Sequence, residues 1–196
     1  MKTIAPAWSA PKNVKAVTTT RVGGASKGVY AGFNLGEHVG DDLVAVRANR
    51  KFLREALGLS REPLWLKQVH GISVVDAAAC TDVTADGAWT DARGTALVIM
   101  TADCMPIFLS DRRGTKIALV HAGWRGLAAG VVEAGVGALK TVGAEVIAHL
   151  GPGIGRDAYE VGHDVRDTFI AKNPDAVRAF RETGQGKWLA DMYELA

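Results

Sequence analysis

With 196 residues, 48% of them hydrophobic and 22% charged, the chain has an ordinary globular composition, far from that of a disordered segment. A formal charge of +2 on scattered basic residues gives no clustered basic face, so no nucleic-acid partner is expected. No apolar run reaches the roughly 18 residues of a bilayer span, and MKTIAPAWSAPKNVK lacks the apolar centre of a secretory signal. Two cysteines, Cys80 and Cys104, are too few for a disulfide framework. The expectation is a cytoplasmic chain with no membrane contact and reduced thiols, which leaves Cys104 able to act as ligand or nucleophile.

Residues 14–20 (VKAVTTT) read as a β-branched strand, followed by the glycine-rich loop RVGGASKGVYAGFNLG. Residues 41–57 read as a helix capped by Asp41 or Asp42, with Leu43, Val46, Arg50, Leu53 and Leu57 on one stripe and Gly58 at its exit. Arg50 interrupts that stripe, as a rim residue or one aimed at a site. Strands are expected at 64–70, 72–76, 96–102, 106–110 and 116–121, with Asp111–Gly114 as a hairpin turn between the last two. A small-residue helix at about 126–142 is suited to lie close against a sheet. A strand at 145–150, the loop GPGIG, and helices near 162–172 and 174–182 follow. KWLADMYELA reads as a strand and the first turn of a helix, an ending that looks cut short. Hairpins mixed with crossovers give an α+β protein of mixed β-sheets packed with helices, as one domain over residues 1–196.

Three segments set reactive side chains at the ends of expected strands: Gln68-Val-His70-Gly71, Thr101-Ala-Asp103-Cys104 and His121-Ala-Gly-Trp-Arg125-Gly126. Two imidazoles and a thiolate suit zinc, and three protein ligands leave a fourth position for water, as in catalytic sites. The long separations lack the specificity of a local CxxC or HExxH pattern. The same residues also suit a metal-free arrangement, with Cys104 as nucleophile, His70 or His121 as its base, and Asp103 orienting an imidazole. Spacing leaves both mechanisms open. Arg125, at a helix start after His121, is a candidate for an oxyanion or phosphate, with a capped turn and an exposed arginine as the plain alternative. His38, His149 and His163 stay outside the ligand set. GPGIG does not fit the dinucleotide fingerprint, and no P-loop is present.

The segments TTRVGGASKGVYAGFNLGEHVGDD, VRANR, WLKQVHG, MTADCMPIFL, HAGWRGLAAGV, LGPGIGRDAYEVG and KWLADMYELA resemble the YfiH-like family, formerly called laccase-domain or multicopper polyphenol oxidase proteins. They run in the family's order from about residue 18 to the end, and DC-x-P with HAGWRG is the most specific pairing. The resemblance implies an α+β layered sandwich and zinc at His70, Cys104 and His121, the catalytic residues. It implies phosphorolysis of adenosine, inosine or guanosine, and attributes adenosine deamination and methylthioadenosine phosphorolysis to the same site. Copper is an alternative occupant, and polyphenol oxidation or amidase-like editing of a peptidoglycan precursor are alternative activities. Asn34, Arg50 and Arg125 are assigned to substrate or phosphate. Gln68 and Asp103 are assigned to orienting the ligands. A purine nucleoside and phosphate are the expected partners, with the chain a monomer or weak homodimer. The family's C-terminal segment is expected to be lacking.

Overall fold

Alternating side-chain direction along two neighbouring strands separates a helical core from an open cleft. The computed structural model describes residues 1–196, apart from the side chain of Ala144. Near the N-terminus β1 (Thr3–Ile4) pairs antiparallel with β2 (Thr18–Thr19), and α1 (Leu43–Ala56) follows the glycine-rich loop. A five-stranded sheet is built from β3 (Val74–Asp76), β4 (Gly87–Thr90), β5 (Met105–Asp111), β6 (Ile117–Ala122) and β7 (Val146–Leu150). Its order is β3-β4-β6-β5-β7, with β3 and β4 parallel and the other pairs antiparallel. Helices α2 (Trp124–Ala129), α3 (Val131–Ala138) and α4 (His163–Lys172) pack with a small antiparallel sheet of β8 (Glu160–Val161), β9 (Phe180–Gly184) and β10 (Lys187–Ala190), ordered β8-β10-β9. The architecture is α+β, a mixed sheet layered with helices. No helix among the described residues is long and apolar enough to cross a membrane.

Successive strand residues face opposite sides of a sheet. Met105, Ile107 and Leu109 of β5, with Ala118, Val120 and Ala122 of β6, enter the main core beside the helices. Pro106, Phe108, Ile117, Leu119 and His121 line the cleft. Val120 and Leu109 are 0% and 1% exposed, and side chains so buried contribute roughly 1.5–3 kcal/mol each. α3 approaches closely because Gly135 has no side chain: a Cβ there would fall 2.8 Å from Val120 Cγ1 and 2.9 Å from Leu109 Cδ1. The small residues of this helix meet the sheet as their size anticipates.

Several boundaries differ from the sequence expectation. The single helix at 126–142 starts earlier, at Trp124, and is two helices broken at Gly130, whose φ of 106° lies in the left-handed region. The Gly130 N–H donates to the Gly126 and Leu127 carbonyls, which terminates α2. The helix expected at 174–182 is a 3-10 turn over Pro174–Ala179 followed by β9. Gln185 and Gly186 take φ of 53° and 70°, the backbone of a tight hairpin, and thereby fold β9 onto β10. Segments 64–70 and 96–102 form isolated bridges in place of laddered strands; Leu64 bridges Leu97, and Lys67 bridges Thr84. Of 14–20, only Thr18–Thr19 forms a strand.

On α1 the buried residues are Val46, Asn49 and Leu53, so a polar side chain shares the apolar face. Asn49, 1% exposed, accepts from the Ala25 N–H at 2.7 Å and donates to Ser26 Oγ at 3.0 Å and the Asn34 carbonyl at 2.8 Å. It ties the glycine-rich loop to the helix. Gly24 permits this approach, because a Cβ there would sit 2.8 Å from Asn49 Oδ1 and 2.5 Å from the Gly32 carbonyl. Asn49→Ala strands these buried partners and is expected to cost about 2–3 kcal/mol, read as a lower urea midpoint. An unchanged midpoint would mean that other contacts hold the loop.

Candidate metal centre

The β5–β6 pairing brings two of the three reactive residues together. Register places Pro106 opposite His121 and Met105 opposite Ala122. Cys104 lies two residues before Pro106, on the same side by strand alternation, and so becomes a diagonal neighbour of His121. Met105, the next residue, is 1% exposed in the core on the opposite face. His70 arrives from the loop before β3 with φ 61°, an uncommon backbone state for a residue with a side chain.

His70 Nε2 lies 3.8 Å from Cys104 Sγ, and the two imidazoles pack edge to face with centroids 4.8 Å apart. One donor atom from each of His70, Cys104 and His121 falls within 4.8 Å of the others, the one such group of histidine, cysteine or acidic donors among the described residues. Tetrahedral bonds of about 2.0–2.3 Å put ligand atoms roughly 3.5 Å apart, so small side-chain movements complete the set. Gly123 makes the space: a Cβ there would meet His70 Cδ2 at 2.6 Å and Cys104 Sγ at 3.0 Å. Two imidazoles and a thiolate around such a space fit a borderline-soft ion such as zinc. His70 is exposed, Cys104 half-buried and His121 only 3% exposed, so the group opens to one side.

Asp86, which sequence reasoning did not single out, underlies this arrangement. Its side chain is fully buried, and its Oδ1 accepts from His121 Nδ1 and the His70 N–H, both at 2.8 Å. Its Oδ2 accepts from the Val69 N–H at 3.1 Å and the Gly71 N–H at 2.7 Å. Burial opposes ionisation of Asp86, but the His121 bond and the three backbone donors outweigh it and hold the carboxyl below its usual pKa. His121 moves down, chiefly by burial and further by the neighbouring His70, against the opposing bond to Asp86. The ring is therefore neutral near pH 7, with Nδ1 protonated and the Nε2 lone pair free to bind a metal. Burial, then Asp103 and Asp86, push the Cys104 thiol up. A metal-free nucleophile needs the opposite shift, whereas a cation at this point favours the thiolate.

The other sequence candidates lie at varying removes. Gln68 clamps the 96–102 segment, donating to the Met100 carbonyl and accepting from its N–H, both at 2.8 Å. Asp103 lies on the cleft wall, and its carbonyl accepts from the Ile154 N–H at 2.8 Å. Asn34 also lines the cleft, with its amide donating to Asp41 Oδ2 at 2.9 Å. Arg50 faces elsewhere, 3.9 Å above the Trp65 ring and bonded to the Leu35 carbonyl at 2.9 Å. Arg125 is exposed at the start of α2, 4.4 Å over the Trp124 ring. His149 packs with Trp8 and Phe108, and His163 with Trp188, away from the ligand group. The cleft beside the centre measures about 1430 Å³ and includes His70, His121 and Gln68 in its lining.

Residues 15–196 match the family described as multi-copper polyphenol oxidoreductase laccase. The chain is 48% identical over 194 residues to the purine nucleoside phosphorylase PA4543 of Pseudomonas aeruginosa, covering 98% of itself and 79% of that protein. It is 44% identical over 197 residues to the purine nucleoside phosphorylase YfiH of Escherichia coli, covering 100% of itself and 81% of the relative. Among solved structures, the Neisseria meningitidis protein NMB0706 superposes with a TM-score of 0.93 at 46% identity, over 98% of this chain and 80% of that one. YlmD of Geobacillus stearothermophilus gives 0.84 at 30% identity, over 96% and 78%.

Metal titration tests the ligand group directly. The protein is expected to bind one zinc per chain, and Cys104→Ala to weaken binding by more than about 100-fold in competition with a chromogenic chelator. Cys80→Ser, outside the group, is the matched control. Equal affinity in the wild type and Cys104→Ala would remove the sulfur from the site.

Proposed function

Because the chain belongs to the multi-copper polyphenol oxidoreductase laccase family and aligns nearly end to end with relatives named purine nucleoside phosphorylases, we propose that it cleaves purine nucleosides with phosphate, at a zinc site held by His70, Cys104 and His121. The substrates are adenosine, inosine or guanosine, and the products are free base and ribose 1-phosphate. The observation that carries this reading is the convergence of the three donors at the side of a cleft large enough for both reactants.

In the reaction the bond from ribose C1′ to the purine nitrogen breaks, a phosphate oxygen bonds to C1′, and a proton neutralises the departing base. A bound zinc ion supplies Lewis acidity where negative charge develops. Burial keeps His121 neutral, and the bond from Nδ1 to Asp86 leaves Nε2 directed away from the carboxylate. Asn34 is assigned to the nucleoside on the cleft wall and the Arg125 guanidinium to phosphate, for which a planar fork of donors is suited. Arg50, engaged by Leu35 and Trp65, is assigned to holding that wall. Cys104, His70 and His121 serve as ligands, and Gln68 and Asp103 support the segments that carry them.

Purine release from inosine and adenosine, followed with and without phosphate, tests the reading. Release is expected to require phosphate, to fall by at least about 100-fold after chelation, and to return with zinc. Phosphate-independent release would indicate hydrolysis, and no release from zinc-loaded protein would reject the proposal. Formation of inosine from adenosine, read in the same incubation, tests the deaminase activity that the resemblance implies.

A further inference from the structure

We propose that Asp86 is a positioning residue that sets two ligands at once: the tautomer of His121 and the left-handed backbone of His70. The inference rests on the metal-site reading above for its purpose, but its geometry stands without a metal. Asp86 precedes β4, has no exposed surface, and is fixed through its own backbone. Its N–H donates to the Ser73 carbonyl at 3.0 Å, and its carbonyl accepts from the His121 N–H at 2.7 Å. Its carboxylate then meets four donors, two on each oxygen. His70 and His121 share Oδ1, and Val69 and Gly71 share Oδ2.

Only an acceptor on both sides satisfies that environment. A carboxylate offers two acceptor oxygens, whereas an amide offers one and turns two N–H donors on whatever faces its nitrogen. In Asp86→Asn, one orientation places the NH2 against His121 and His70. His121 Nδ1 must then accept, its proton moves to Nε2, and the atom that should bind metal is blocked. The other orientation places the NH2 against the Val69 and Gly71 N–H groups. The loop then loses the two bonds flanking His70, whose φ of 61° needs such support. Both orientations displace a ligand, so an acceptor on each side, a carboxylate, is required.

The experiment uses the metal-free whole chain and its cobalt(II)-loaded form. Long-range proton–nitrogen NMR of the wild-type apo protein is expected to show His121 protonated at Nδ1; protonation at Nε2 overturns the proposal. Folded Asp86→Asn, checked by circular dichroism, is expected to bind cobalt about 10–100-fold more weakly and to lose the thiolate-to-cobalt band. A folded variant with wild-type affinity and spectrum overturns it equally. Should Asp86→Asn fail to fold, the wild-type tautomer decides alone. Absence of the thiolate band in the wild type itself would sink the metal reading, while the Nδ1–H tautomer would still uphold the role of Asp86 in orienting His121.

Discussion

Pairing of Met105–Asp111 with Ile117–Ala122, in a register that sets Pro106 against His121, is the constraint on which the structure turns. Because side chains alternate along a strand, one register fixes two surfaces together. Val120, Ala122 and Ile107 go to the helices, while His121 and Pro106 face the cleft. A slip of one residue would bury the imidazole among apolar side chains and bring Val120 to the cleft. Fold and site are therefore specified by the same backbone hydrogen bonds. The hydrophobic gain from the core, at roughly 1.5–3 kcal/mol per buried side chain, holds the ligand geometry in place.

The carboxylate of Asp86 couples that sheet to the loop bearing His70. A buried charge is costly when unpaired and tolerable when every lone pair meets a donor. Here the donors come from two separate parts of the chain, the 69–71 loop and the end of β6. Stabilising the charge therefore requires both parts to be in place. Gly123 supplies the complementary condition, close approach, since a side chain there would crowd His70 and Cys104. The chemistry of the centre thus depends on a missing Cβ as well as on the donors themselves.

The convergence of His70, Cys104 and His121 was legible because each was read at the end of an apolar strand pattern, although of those three strands only the one carrying His121 is laddered. Asp86 was not, because its partners lie 15 to 35 residues away and nothing local distinguishes it from the other acids in loops. Arg50 read as a rim residue or one aimed at a site, and its guanidinium is taken up by Trp65 and the Leu35 carbonyl, contacts set by loop packing. The α+β class and the β5–β6 hairpin were readable from alternation and from the turn at Asp111–Gly114. The break at Gly130 and strand β9 were not. A run of alanine and glycine has no periodic marker for a break, and the two-residue turn at Gln185-Gly186 overrode the helical appearance of the segment before it.

The family's description speaks of several coppers, and the donor set bears on that chemistry. Electron transfer among several copper ions needs several histidine-rich groups, and a blue-copper site adds a weak axial sulfur. The chain has five histidines, of which His149 lies among Trp8 and Phe108 and His163 against Trp188. Met105, adjacent to Cys104, is turned into the core on the far side of the sheet. His38 lines the cleft outside the ligand group, and His70, His121 and Cys104 make one group of three among the described residues, enough for a single ion with one position open. A metal held by that group, beside a cleft of about 1430 Å³, would suit a reaction in which a second molecule attacks while charge builds on a leaving group. Phosphorolysis makes that demand, and it needs no second redox centre.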